Sequence, residues 1–335
     1  MNGRHFASAA SLLALCGCSY APLTYMRTYG PAADPITSLG WGLTIVCSIV
    51  VVVITMLVLI ATLRARATRG SMAAIAISRS SNGLLWIYIG TGLSSLVLLG
   101  LLIWTMITLA AVADSPKAPS LTIEIRAHQW WWEARYIDPI AADTFVTANE
   151  LHIPVGTAVR LRLIGDDVIH SFWIPALAGK TDVIPGQTNA AWIEATTAGL
   201  YRGQCTEYCG LQHAHMSEAV IAESDAQFQQ WRTLQLSDAA SPESATSLQG
   251  QQVFLSHCAA CHTVRGTDAG GILGPDLTHL MGRRTIAAGT LPNNLDSLTR
   301  WIANAQAIKP GCQMPAVELS HEDLVAVVAY VQTLD

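Results

Sequence analysis

The stretch Cys205-Thr206-Glu207-Tyr208-Cys209-Gly210-Leu211-Gln212-His213-Ala214-His215-Met216 places two thiols, two imidazoles and a thioether in one short loop. Soft thiolate and thioether donors combined with imidazole favour copper over hard cations, so the loop points to copper and to electron transfer. A closed zinc site would use the thiols and imidazoles but has no use for Met216. A mononuclear blue-copper site needs one Cys, two His and a weak axial Met. The second Cys is therefore what separates a one-copper from a two-copper reading. His215 is left over and is expected to face solvent.

Outward from the loop, residues 120–223 alternate apolar and polar side chains, as in Val159-Arg160-Leu161-Arg162-Leu163. Period-two alternation with turn signals such as Pro154-Val155-Gly156 and Pro185-Gly186 predicts half-buried strands in a small antiparallel sandwich or barrel. A sandwich can bring distant ligands together. The run Asp167-Val168-Ile169-His170-Ser171-Phe172-Trp173-Ile174-Pro175 puts His170 on an apolar strand end, from which a neighbouring strand could deliver a second imidazole to the Cys loop.

With 51% hydrophobic and only 13% charged residues over 335 positions, the chain is too apolar to be wholly soluble. The net charge of -5 excludes a nucleic-acid partner, which would need concentrated Lys and Arg. Trp41 to Leu63 and Asn82 to Ala113 carry no charge, and each is long enough for a membrane helix of about 20 residues. Their connection carries Arg64, Arg66, Arg69 and Arg79 and no acid, which puts it in the cytoplasm and everything after Asp114 outside. Met1 to Leu15 reads as an export signal, and Leu15-Cys16-Gly17-Cys18 resembles a lipoprotein lipobox with Cys18 as the acylated residue. Cys47, mid-membrane, is expected to be buried and inert.

After a helical stretch around Ala226 to Leu236, residues 237–247 are small, polar and interrupted by Pro242, and read as a linker. Beyond them, Cys258-Ala259-Ala260-Cys261-His262 is the Cys-x-x-Cys-His attachment motif of a c-type haem. Two thioethers would hold the porphyrin and His262 would ligate the iron. Met314, in Gly311-Cys312-Gln313-Met314-Pro315, is the candidate second axial ligand, since Met/His ligation raises the potential. A last helix from Ser320 to Leu334, with Ser320 as N-cap and Leu324, Val327, Val328 and Val331 on one face, would close a small helical domain. Met281 is expected in its core, and Cys312 as an idle buried thiol.

The quoted residues resemble subunit II of the haem-copper oxidases, and the fused haem domain resembles class I cytochrome c; together they resemble the caa3-type subunit II over nearly the whole chain. The resemblance implies a binuclear CuA centre in which Cys205 and Cys209 bridge both coppers. His170 and His213 would each bind one copper, with Met216 and the Glu207 carbonyl completing the shells. It further implies that electrons enter the copper domain at Trp130, in His128-Gln129-Trp130-Trp131-Trp132, whereas Trp131 and Trp132 are expected to pack. Electrons would run from haem c to CuA and on to subunit I of a terminal oxidase, where oxygen is reduced to water with proton translocation.

The expected architecture is a multidomain membrane protein: signal and lipobox 1–18, an extracytoplasmic segment 19–40, a two-helix transmembrane hairpin 41–113, an all-β cupredoxin sandwich 114–223, helix and linker 224–249, and an all-α cytochrome c domain 250–335. Expected partners are subunit I and other oxidase subunits, membrane lipid and an upstream electron donor, at a bacterial cell membrane with the N-terminus and both redox domains on the periplasmic side. Two departures from the family stand out. Residues 80–86 lack the Glu thought to admit protons, and Gln187 follows Ile184-Pro185-Gly186 where Arg is common. The alternatives are a CuA-containing nitric oxide reductase, which shares this plan, and a stand-alone electron carrier or copper-delivery protein.

Overall fold

The computed structural model describes residues 23–68 and 83–335. The lipobox with Cys18, Arg69 and Arg79, and residues 80–82 lie outside the described residues. Two helices come first, α1 (Asp34–Thr68) and α2 (Gly83–Ala113). Both are long and apolar enough to cross a membrane. Thr108 is the one buried residue on α2, and an apolar helix with so little protein around it needs lipid for its surface. Cys47 is exposed rather than buried, because a two-helix hairpin has no interior.

The hairpin is tied to the domain above it. The Trp192 indole N–H donates to the Val112 carbonyl at 3.0 Å. Tyr29, just before α1, donates its backbone N–H to Ala176 and accepts from Thr196, each at 2.8 Å. Gly30 fits there only because a side-chain carbon would sit 2.3 Å from the Glu194 carbonyl oxygen.

The second domain is a sandwich of a five-stranded sheet, in the order β3-β2-β1-β5-β8, and a three-stranded sheet, β4-β10-β9. Its strands are β1 (Leu121–His128), β2 (Trp131–Ile137), β3 (Phe145–Ala148), β4 (Glu150–Pro154), β5 (Val159–Gly165), β6 (His170–Phe172), β7 (Thr181–Val183), β8 (Thr188–Ile193), β9 (Gly199–Gln204) and β10 (Ser217–Glu223). On β5 the alternation is literal: Val159, Leu161 and Leu163 are buried, while Arg160 and Arg162 are exposed. Burying each such apolar side chain contributes about 1.5–3 kcal/mol. The sandwich is mixed rather than antiparallel, since β1 pairs with β5 and β10 with β4 in parallel. Parallel pairs need long crossover connections, which a period-two pattern cannot reveal.

Helix α3 (Asp225–Leu236) starts at a Ser224/Gln227 capping box and lays Phe228 and Trp231 against Tyr136. The polar segment after it is held in place: Ala239 N–H donates to the Arg265 carbonyl at 3.1 Å, and the Ser237 carbonyl lies 3.1 Å from His279 Nε2. The third domain is built on α4 (Ala245–His257), α5 (Leu295–Ala303), α6 (Ala305–Ile308) and α7 (His321–Val331), with two short hairpins, β11 (Thr263–Val264) with β12 (Ala269–Gly270) and β13 (Thr285–Ile286) with β14 (Leu291–Pro292). Ser320 caps α7, accepting from the Asp323 N–H. Val327, Val328 and Val331 are buried with Phe254 of α4 in one apolar cluster, against which Met281 packs.

Candidate copper centre and haem crevice

Strand β6 and the loop between β9 and β10 bring the predicted ligands to one place. Cys205 and Cys209 face each other with Sγ atoms 3.8 Å apart. His170 Nδ1 lies 3.9 Å from Cys205 Sγ, and His213 Nδ1 3.6 Å from Cys209 Sγ. Met216 Sδ is 3.8 Å from Cys209 Sγ, and the Glu207 carbonyl oxygen is 3.3 Å from Cys205 Sγ. Cys205, Cys209, His170 and Met216 are all buried. One buried soft donor set thus gathers around two thiols, an arrangement suited to two metal ions sharing the sulfurs. His215 is exposed, as expected.

Asp167, three positions before His170, was not singled out from sequence. Its Oδ1 sits 2.8 Å from His170 Nε2 and accepts from the Val168 N–H at 2.6 Å. Such a carboxylate fixes the tautomer that leaves Nδ1 free for metal. Burial pulls the His170 pKa down, but the bond to Asp167 and the contact with Cys205 outweigh it, and the net shift is upward. The hydrogen bond between the thiols pulls Cys205 well below the usual thiol value and pushes Cys209 above it. Beside them, burial raises the Glu218 carboxyl well above the carboxylate range.

In the helical domain, Cys258, Cys261, His262 and Met314 line one crevice of ≈ 300 Å³. His262 Nδ1 lies 2.8 Å from the Pro275 carbonyl, which turns the other ring nitrogen to the crevice. Gly274 is obligatory beside it, because a side-chain carbon there would meet His262 Cε1 at 2.6 Å. Gln306 pins the Met314 loop by donating to the Met314 and Cys312 carbonyls, each at 2.7 Å. Cys312 is half-buried on the crevice wall. The crevice fits a haem: its lining is largely apolar, and Arg283, which shares that lining, keeps a buried Nε with no partner among the described residues. An unpaired buried guanidinium nitrogen calls for an anionic group, as a haem propionate would be.

The two sites share a wall. Gln129 and Trp130, from the turn between β1 and β2, and Trp131 at the start of β2 line the crevice along with the helical domain's own residues. Trp130 is 8% exposed, and its indole N–H donates to the Cys209 carbonyl at 3.0 Å. Gly311 on the far side would place a side-chain carbon 3.8 Å from the Trp130 ring. Trp131 stacks on His128 and Trp132 is wholly buried, so both pack as expected.

A buried thiol–imidazole–thioether cluster thus faces a Cys-x-x-Cys-His crevice across one tryptophan. Residues 141–223 match the family "Cytochrome C oxidase subunit II, periplasmic domain", and residues 247–335 match "Cytochrome c". Relatives named cytochrome c oxidase subunit 2 include those of Alkalihalophilus pseudofirmus, 39% identical over 63% of this chain and 60% of the relative, and of Bacillus subtilis, 30% identical over 64% and 62%. The chain therefore spans about three fifths of the length of these relatives. Among solved structures, the periplasmic domain of subunit II of cytochrome oxidase of Bradyrhizobium japonicum is 32% identical over 96% of its length and 36% of this chain, with a TM-score of 0.34. The chain thus resembles subunit II of cytochrome c oxidase over residues 141–223 and cytochrome c over residues 247–335. These two domains imply binuclear copper and haem c as cofactors.

Proposed function

We propose that this chain is the subunit through which electrons enter a caa3-type haem-copper terminal oxidase, with oxygen reduction and proton translocation on subunit I. The observation that carries the proposal is Trp130, which forms part of the haem crevice on one side and hydrogen-bonds the carbonyl of a copper-loop thiol residue on the other. Copper and haem, when bound, supply reversible one-electron chemistry. Cys205 and Cys209 would hold the copper through their thiolates, with His170, His213, Met216 and the Glu207 carbonyl as the further donors. Cys258 and Cys261 would attach the haem covalently, His262 and Met314 would ligate its iron, and Arg283 would pair with a propionate.

The residues act by position. Asp167 orients His170, Gln306 holds the Met314 loop, and the burial of Cys205, Cys209, His170 and Met216 keeps water from the copper site. That lowers the rearrangement each electron step requires. The hairpin anchors residues 114–335 on the outer face of a bacterial cell membrane, as the Arg-rich connection between the spans supports, and lipid on Cys18 would add a second anchor. Purification of the intact complex from membranes, with haem c, haem a and CuA spectra and an oxygen-uptake assay, tests this. Isolation without a multi-span haem-copper subunit would overturn it, and reduction of nitric oxide instead of oxygen would reassign it to a nitric oxide reductase.

A further inference from the structure

Two opposite charges are buried where the copper and haem domains meet, and each is satisfied by the other domain's backbone. Glu150, on β4 of the copper domain, is 3% exposed. Its carboxylate accepts from the Arg284 and Thr285 N–H groups at 3.0 Å and from Thr285 Oγ1 at 3.1 Å, all in the haem domain. Lys309, between α6 and the Met314 loop, is also 3% exposed. Its ammonium donates to the Trp130 carbonyl at 2.6 Å and the His215 carbonyl at 2.7 Å in the copper domain, and to its own domain's Ala287 at 3.2 Å. Ser217 and Gln212 add bonds to the Ala288 and Pro310 carbonyls.

A buried charge is tolerated only when its hydrogen-bonding capacity is met. Most of these partners lie across the interface, so separating the domains would strip both charges of them. We infer that Glu150 and Lys309 are reciprocal positioning residues that hold the haem domain permanently docked over Trp130, closing the copper domain's electron entrance to any soluble donor. Donors must then act on the haem domain, and electrons would reach the copper site only from within the chain. The inference rests on the function proposed above, but its test reads docking and not turnover.

The test is hydroxyl-radical footprinting of the intact complex, read by mass spectrometry at individual tryptophans. In the wild-type chain Trp130 should oxidise as slowly as the core residue Trp132. Glu150→Ala and Lys309→Met should each raise Trp130 oxidation at least about tenfold, the opening expected when charge-assisted hydrogen bonds are lost, with Trp132 and the haem spectrum unchanged. Amide exchange at Arg284 and Thr285 should quicken in Glu150→Ala. Fast oxidation of Trp130 in the wild type, or unchanged protection in both variants, would overturn the inference. If either variant loses Trp132 protection, and so its fold, the wild-type comparison alone decides. Oxygen uptake, measured separately, reports on the oxidase assignment whatever the footprint shows.

Discussion

Replacing Gly250 with alanine should destabilise the haem domain, although alanine is the better helix former by about 1 kcal/mol. Gly250 lies on α4 where α7 crosses it. A side-chain carbon would stand 1.9 Å from the Ala326 carbonyl oxygen, 2.5 Å from its carbon and 2.9 Å from Tyr330 Cβ. Ordinary contact begins at 3.4 Å, so the helices must part by 3.4 − 1.9 = 1.5 Å. The obstacle is backbone and cannot rotate away. A gap of that size forfeits much of the dispersion contact between Phe254 and Tyr330, whose rings meet edge to face at 5.4 Å, and a gap of even 0.5–1 Å costs roughly a quarter to a half of each contact. Overpacking of this kind costs about 3 kcal/mol, leaving a net loss of about 2 kcal/mol after the propensity gain. For a domain of this size that lowers the melting temperature by about 10 °C. The measurement is a thermal melt followed through the haem absorbance of the purified chain. Gly270→Ala, where nothing lies within 4 Å of the added carbon, is the control and should melt with the wild type. A Gly250→Ala chain melting at or above the wild type would refute the reasoning.

Cys209→Ser should bind copper without the mixed-valence signal of a shared pair; an unchanged electron paramagnetic resonance spectrum would remove Cys209 from the bridge. Met314→Ala should keep its haem through Cys258 and Cys261 but show a lower midpoint potential, because thioether ligation raises it. A redox titration that finds no drop would exclude Met314 as the axial ligand. Glu218→Gln tests the buried acid. With its carboxyl raised by burial, the native state holds a proton that the unfolded chain sheds above about pH 4.3. Stability is full below that value and falls as pH rises towards the native pKa. Glutamine lacks this slope, so melts between pH 4.5 and 8 should increasingly favour the variant, and a gap independent of pH would count against a protonated Glu218.

The candidate metal and haem ligands stand out in the sequence because such chemistry demands rare side chains at fixed spacing. Cys205 to Met216 and Cys258 to His262 each fit in one loop or helix end, and His170 could be added because the copper loop needed a second nitrogen. The membrane helices were legible from charge-free runs alone, though α1 extends back to Asp34, whose acid suits the positive end of a helix. Mixed strand pairing was not legible, since parallel and antiparallel neighbours bury the same alternation. Nor were Glu150 and Lys309. Among 24 acidic and 19 basic residues nothing local marks the pair that the domain interface buries.

The turn between β1 and β2 explains why the two centres cannot be treated as separate modules on a tether. The Gln129 N–H donates to Asp167 Oδ2 at 2.6 Å, and the other oxygen of that carboxylate orients His170. The Gln129 side chain and the Trp130 indole both donate to the Cys209 carbonyl. The Trp130 carbonyl, in turn, accepts from Lys309. Two consecutive residues therefore touch the support of one histidine, the backbone of one copper-loop cysteine and a buried lysine of the haem domain. A flexible tether would raise only the effective concentration of the donor. Contacts of this kind also fix its orientation, and orientation decides whether Trp130 stands between the two centres or beside them. The cost of desolvating Glu150 and Lys309 is then best understood as the cost of a defined geometry, offset by backbone groups that only the docked arrangement supplies.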